Sequence, residues 1–481
     1  MGDAGDANGD DRFGVTVVNA EVLVVGSGAG GVVTAHALAH AGVDVLLLEE
    51  GPRGPAGEYA RWSPDAMERF YRRRGMTPIV GRVPIGFVEG RCLGGSTEIN
   101  SGFWHRTPPE VILRWQSQYA LADTTPESLE PHFAWAEDLL GVALHTGPLP
   151  RSSSILADGA ERMHWSVQEV PRMSRRCRDL LPAVEAAGAR VVTDARVRLL
   201  LREGSRVTGV LAEIQRPDRT RALVRINADD VFVCGGATET PALLRRSGIR
   251  YRVGDSLRVH PMLKVAARFP FPLESLQSVL PLMQVKEFWP EITIGGAYFS
   301  LGHLAIVLSE NWPSTADRMT DVDNMACFYV AVKGSGTGRV RGSAFDDTPA
   351  VRYDLSAEDV WNLSRGFSRL CMLLLRAGAT ALYPALFGIP AIRTELDAVR
   401  WLDERLPKQA LALTTVHAFS SCPIGERDDR CAADSYGRVR QVDNLYINDA
   451  SMLPDSPGVN PQGSIMALAR RNALHFLDRH K

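Results

Sequence analysis

Glu21 to Gly31 reads EVLVVGSGAGG. Leu23, Val24 and Val25 form a short apolar run rich in β-branched residues and closed by glycine, the pattern of a buried strand. Gly26, Gly28 and Gly31 follow in GxGxxG spacing, and Val32 to Ala41 continues as an alanine-rich helix. The next stretch, DVLLLEEGP, predicts a second strand that ends in Glu49, about 20 residues beyond the glycines. Glycines at this spacing carry little weight alone. Set between two strands and a helix, with an acid closing the second strand, they predict a dinucleotide-binding βαβ unit. Gly26 permits the tight turn, Gly28 lets backbone approach a pyrophosphate at the helix N-terminus, and Gly31 allows close helix–strand packing. Glu49 is placed to hydrogen-bond a ribose diol. Glu50 is its neighbouring alternative, and strand alternation turns only one of the two toward the nucleotide. The unit itself does not separate NAD from FAD.

The remaining composition sets bounds. The chain has 481 residues, 45% of them hydrophobic, with a formal net charge of −2. That suffices for two packed domains, and no basic stripe suggests a nucleic-acid partner. No apolar run reaches about 18 residues, so no transmembrane helix is expected. The seven cysteines are dispersed and lack zinc spacing, which predicts no metal site and a reduced, cytoplasmic chain. Residues 1–14, MGDAGDANGDDRFG, are acidic and glycine-rich and have no apolar core, so they read as a disordered tail rather than a signal peptide.

Three further segments carry a family resemblance. Glu89 to Arg106, EGRCLGGSTEINSGFWHR, places Gly94, Gly95, Ser96 and Thr97 in a loop of small residues that leads to Asn100. Val231 to Gly248, VFVCGGATETPALLRRSG, runs a buried strand into Gly235 and then a helix. The third comprises HAFSSCPIG, from His417 to Gly425, and DSYGRVRQVDNLYINDASMLPDSPGVNPQGSIMALA beyond it. Together with the opening unit these resemble the glucose–methanol–choline (GMC) family of flavoprotein oxidoreductases. The resemblance implies an α/β fold: a Rossmann-like FAD-binding domain and an α+β substrate domain whose sheet covers the flavin. It places residues 15–105, 185–262 and 418–481 in the first and 106–184 and 263–417 in the second. ARVVTDARVRLLLREGSRVTGVLAE reads as paired strands around a Gly-Ser turn on the adenine side.

The same resemblance implies FAD, held noncovalently, because Ile99 stands where some relatives carry the histidine that bonds the flavin. It implies His417 as the base that accepts the hydroxyl proton of an alcohol, and Asn460 as the amide that orients the substrate oxygen. Near neutral pH a histidine suits the first role, while hydride acceptance belongs to the cofactor. Pro461 suits the first turn of the last helix, and Asp449 and Ser451 read as structural or cofactor-backbone contacts. His105, His260 and His303 are pocket candidates with structural roles as the plainer reading. The expected reaction is oxidation of a small-molecule alcohol to its carbonyl, with O2 or another carrier as electron acceptor. An FAD-containing lyase and a noncatalytic flavin-binding protein are the rival classes. The covering segment offers strand-like runs, ITIGGAYFSLGHLAIVLSE and NMACFYVAVKG, and then an amphipathic helix capped near Asp354 or Ser356. Phe288, Trp289, Tyr298 and Phe299 suit either pocket or core.

Overall fold

The computed structural model describes residues 16–54, 63–216, 218–277, 281–342 and 348–480, so the tail expected over residues 1–14 lies outside the described residues. The opening unit folds as its pattern requires. β1 (Thr16–Val25) leads into α1 (Ala29–His40), and β2 (Val45–Leu48) returns parallel to β1, with Val22 opposite Val45 and Val25 opposite Leu48. Every residue of β2 is buried, as a strand covered on both faces should be. Arg190–Val192 extends the sheet beside β2, and Arg221–Val233 beside β1, both in parallel. Arg221–Val233 is shared between partners. Its first half pairs antiparallel with Arg206–Gln215, which is joined to Ala195–Glu203 by a turn at Gly204. Its last residues pair in parallel with Leu445–Ile447. A strand from late in the chain thus completes a sheet begun near its start, of seven strands among the described residues.

A second sheet, of nine strands among the described residues, closes over the first. Its centre is Met262–Arg268, Met325–Val332, Ile292–Gly296 and Met283–Val285, paired antiparallel in that order. Alternation separates its faces. Leu263, Val265, Phe328, Val330 and Val332 are almost fully buried in one core. The intervening Met262, Lys264, Tyr329, Ala331 and Lys333 line a cavity. The long helix Ala357–Arg376 packs on the core face. Ser356 Oγ accepts from Asp359 N while the Asp359 carboxylate accepts from Ser356 N, a reciprocal cap. Leu363, Phe367, Leu370, Cys371 and Leu374 form the buried stripe. A Cβ at Gly366 would stand 2.3 Å from the Val330 side chain, so the helix lies closer to the sheet than a larger residue would permit.

Two features depart from the sequence-based reading. Only Ile292–Gly296 of the first strand-like run is extended, and Leu301–Leu308 is a helix. Ser300 caps it by accepting from His303 N, and Leu304, Val307 and Leu308 recur at helical spacing on its buried side. The expected division is also crossed. Thr77–Ile79 and Ile85–Phe87 join the nine-stranded sheet. Helices Pro109–Tyr119 and Pro126–Leu140 instead bury Val111, Trp115, Leu129 and Phe133 in the core of the parallel sheet. Apolar faces choose their core irrespective of chain order.

The late segment crosses α1 at Gly30, where an added Cβ would lie 1.8 Å from the carbonyl oxygen of Asn448. Backbone on both sides leaves no side chain to yield. Gly30→Ala is therefore expected to destabilise the protein by about 3 kcal/mol or more, the upper range for overpacking. Thermal unfolding checks this, and a wild-type Tm would show that the crossing opens freely.

Candidate active site

The two sheets face each other across a cavity of about 520 Å³. On the nucleotide side, the glycines divide by purpose. Gly26 has φ +105°, and a Cβ there would lie 2.4 Å from the Cys234 carbonyl oxygen. A Cβ at Gly31 would lie 1.8 Å from the Gly26 oxygen. These two are glycine because of packing. A Cβ at Gly28 would meet nothing within 4 Å. Its backbone borders open space at the N-terminus of α1, which fits a diphosphate. The second glycine loop closes on the first: Gly95 needs φ +58°, and a Cβ on it would stand 2.9 Å from Gly28 Cα. Ser27 Oγ lies between the loops, donating to Glu49 at 2.6 Å and accepting from Gly94 N at 2.9 Å.

Glu49 is buried at the end of β2, and its other oxygen accepts from Gly51 N at 2.8 Å. Burial raises its pKa, opposed by the hydrogen bonds from Ser27 and Gly51. Glu50 also lines the cavity. The strand has ended by then, so alternation does not choose between the two acids. Glu50 is instead committed to Arg72, which holds both its oxygens, and burial that would raise its pKa is overcome by Arg72, Arg196 and Arg91, leaving it at about 2. Ser96 Oγ accepts from Gly90 N. Asn100 ties its loop to the last helix, donating to Gln462 Oε1 at 2.7 Å and accepting from Gly102 N and Arg176. Gly235 precedes the helix Gly236–Arg246 and lines the cavity. Asp449 accepts four hydrogen bonds, from Gly236 N, Thr240 Oγ1, Ser451 N and Ser451 Oγ.

Across the cavity, a two-stranded ladder sets the histidines. Arg258 is opposite Phe419 and Val259 opposite Ala418, so the next residues, His260 and His417, meet. Their Nδ1 atoms are 3.0 Å apart. His260 Nε2 lies 2.9 Å from Ser456 Oγ, and that hydroxyl donates to the Lys333 carbonyl at 2.8 Å. A carbonyl has no proton to give, so Ser456 spends its one hydrogen there and accepts from His260 Nε2–H. Burial first, and then the cationic Lys286 and Lys333, keeps His260 neutral. Its Nδ1 then accepts, and His417 Nδ1–H donates. His417 Nε2 is left with its lone pair, and Asn460 Nδ2 donates to it at 3.1 Å. Both ends of the chain specify the same tautomer. Burial alone lowers the His417 pKa to about 4.

Asn460 is not the cap of the last helix, Gln462–Arg479. Pro461 holds that position, one residue earlier than the first turn expected for it, and the Asn460 amide is turned to His417 instead. Of the other histidines, His303 lines the cavity with its Nδ1 2.8 Å from Ser300 Oγ. His105 is buried behind the wall, and burial, Lys286 and His417 push its pKa well down. Tyr298 lines the cavity and donates to the Asn100 carbonyl, whereas Phe288 and Phe299 pack on the core of the nine-stranded sheet and Trp289 on that of the other. Sequence reasoning named His260 only as a pocket candidate, with a structural role as the plainer reading, and did not single out Ser456, Lys264 or Lys286. The available signal was polar residues at alternate positions in apolar strands, as in MLKVAAR and CFYVAVK.

Profiles described as GMC oxidoreductase match residues 67–180 and 172–262 for the N-terminal part and 335–469 for the C-terminal part, and one described as an NAD(P)-binding Rossmann-like domain matches 24–73. An uncharacterized GMC-type oxidoreductase of Sinorhizobium fredii is 37% identical, over 95% of this chain and 94% of that protein. A long-chain-alcohol oxidase of Arabidopsis thaliana is 25% identical, over 94% of this chain and 66% of that protein. The crystal structure of pyridoxine 4-oxidase from Mesorbium loti superposes with a TM-score of 0.75 at 19% identity, covering 96% of this chain and all of that one.

Because nothing meets a methyl at residue 28, Gly28→Ala should keep the Tm of the apoprotein while raising the Kd for FAD about tenfold or more. Fluorescence titration checks it, and a fall in apoprotein Tm like that expected of Gly30→Ala would make the position structural. Acid precipitation of the wild type should leave the flavin in the supernatant, and a yellow pellet would reveal a covalent bond.

Proposed function

The chain belongs to the GMC oxidoreductases, FAD-dependent flavoenzymes, and on that premise we propose that it oxidises a small-molecule alcohol to its carbonyl with His417 as the base. The observation that carries this reading is the hydrogen-bond chain from Lys333 to Asn460, which presents an unprotonated His417 Nε2 at the cavity wall. The long-chain-alcohol oxidase among the relatives supports the same class of donor. Glu49, Gly28 and the Gly94–Asn100 loop would hold FAD, which supplies the hydride acceptor when bound.

The protein's own part follows from the geometry. His417 Nε2 takes the hydroxyl proton. Asn460 donates to the substrate oxygen and leaves the proton to the histidine. His260 acts through His417 rather than on substrate: it accepts from Nδ1–H and so keeps the lone pair on Nε2. Because the chain ends on a peptide carbonyl, it orients the ring and does not carry the proton away. Gln462, at the start of the last helix, lines the cavity, so the positive end of that helix favours negative charge there.

His417→Ala should retain FAD and slow anaerobic flavin reduction at saturating alcohol by about 10²- to 10⁴-fold, the usual worth of a general base. Neutral His417 is the reactive form and its pKa is depressed, so the wild-type rate should be full above the folded pKa and be lost only as pH falls through about 4. An acid limb at the ordinary histidine value of 6.5 would refute the assignment. His260→Ala should also slow reduction, with partial rescue by His260→Gln, which can both accept and donate. An effect confined to Tm would leave His260 a packing residue.

A further inference from the structure

The cavity face of the nine-stranded sheet carries two ammonium groups, Lys264 and Lys286, that no carboxylate among the described residues answers. Lys264 is opposite Tyr329, Tyr329 opposite Gly295, and Gly295 opposite Gln284, so these four make one row across the sheet. Met262, Ala331 and Thr293 make the next row. Lys286 directly follows the strand Met283–Val285 and lines the same cavity. Thr293 and Ala331 are small residues that line the cavity on this face. The Tyr329 ring lies over Gly295, where an added Cβ would meet it at 2.7 Å, and its hydroxyl accepts from Gln284 Nε2 at 2.8 Å.

Lys264 and Lys286 both line the cavity. Burial alone lowers the Lys286 pKa to about 8, and at Lys264 burial dominates with only the Cys327 thiol opposing it. The acids that line the cavity lie on its other side and are already engaged: Glu49 by Ser27, Glu50, Glu89 and Glu239 by Arg72, and Asp449 by Thr240. Positive potential also reaches the histidines of this wall. After burial, Lys264 is what lowers His303 to about 4, and Lys286 acts likewise on His105. A buried cation without a counter-ion opposes folding. Two of them on one wall of a cavity are groups held ready for a charge brought by a ligand.

We propose that the substrate is an anionic alcohol, a hydroxyl borne on a body that ends in a carboxylate or phosphate, whose anion is held by Lys264 and Lys286 while its hydroxyl reaches His417 and Asn460. This rests on the alcohol-oxidation reading. Both anions accept several charge-assisted hydrogen bonds, which ammonium groups donate.

The test uses holoenzyme and matched alcohols: benzyl alcohol against 4-(hydroxymethyl)benzoate, 1-hexanol against 6-hydroxyhexanoate, and glycerol against glycerol 3-phosphate. The anionic member of at least one pair should reduce the flavin with a second-order rate constant about 10- to 100-fold higher, and the pair with the larger ratio tells carboxylate from phosphate. The double variant Lys264→Met, Lys286→Met removes both charges, strands no partner and keeps the length of the stems, and it should collapse that ratio. Equal or better reduction by the neutral members, or a ratio that survives the double substitution, overturns the proposal. A second arm does not need turnover: benzoate and inorganic phosphate are titrated into oxidised holoenzyme and followed by flavin absorbance. Lysine-dependent binding in this arm without bleaching by any alcohol would sink the oxidation reading and uphold the anion site. Equal Kd values in wild type and double variant, or no binding of either anion, would sink the anion site.

Discussion

The carboxylate of Asp449 is the point at which distant parts of the chain become one site. Burial raises its pKa, and four donors oppose that by satisfying it: two from the helix Gly236–Arg246 and two from Ser451. The segment it anchors is in turn a template. Ser420 N, Cys422 N and Ile424 N donate to the carbonyls of Ala450, Ser451 and Met452. The segment so aligned begins with His417, and its ladder with Arg258–Val259 delivers His260. One buried acid thus fixes the register of the nucleotide-side helix and, through it, His417 on the opposite wall. A backbone template of this kind holds the position of a side chain better than a loop would, and proton transfer needs that precision.

The cavity is electrically divided. Carboxylates and arginines form a balanced network where a nucleotide would lie: Arg72 contacts Glu50, Glu89 and Glu239 within about 3.3 Å. The opposite wall is cationic and unbalanced. His417 sits between the two, and what lowers its pKa is loss of water alone. His417 is therefore kept neutral by burial beside positive charge, with its lone pair available across the neutral range.

Much of this was legible from residues near one another in sequence. The βαβ unit depends on glycine spacing and apolar runs within about 30 residues, and Gly26 and Gly31 pack there against backbone as that spacing implies. The resemblance to the family brought His417 and Asn460 to attention, and the structure sets them 3.1 Å apart. What stayed hidden depends on pairing. His260 acquires a partner only through a two-residue ladder to a segment more than 150 positions away. Lys264 and Tyr329 show their alternation plainly, but alternation does not reveal which face of a strand meets a core and which a cavity. The choice between Glu49 and Glu50 could not come from period two, because the strand ends at Leu48; the two acids are told apart by their partners, Ser27 and Gly51 for Glu49 and Arg72 for Glu50. The segment 301–308 was mistaken for strand because apolar residues suit either element until a cap such as Ser300 is weighed.

The parallel pairing of Val231–Val233 with Leu445–Ile447 has a bearing on how the protein is made. Synthesis proceeds from the N-terminus, so the strand ending at Val233 exists long before its neighbour. During that interval its edge presents unpaired N–H and C=O groups, with the apolar Val231, Phe232 and Val233 beside them. His417 and Asn460 arrive with the same later segment. A growing chain can therefore assemble its first βαβ unit early but brings this pair to the cavity only after residue 460 has been made. Premature termination anywhere between these strands would yield an aggregation-prone sheet and not a weakened enzyme.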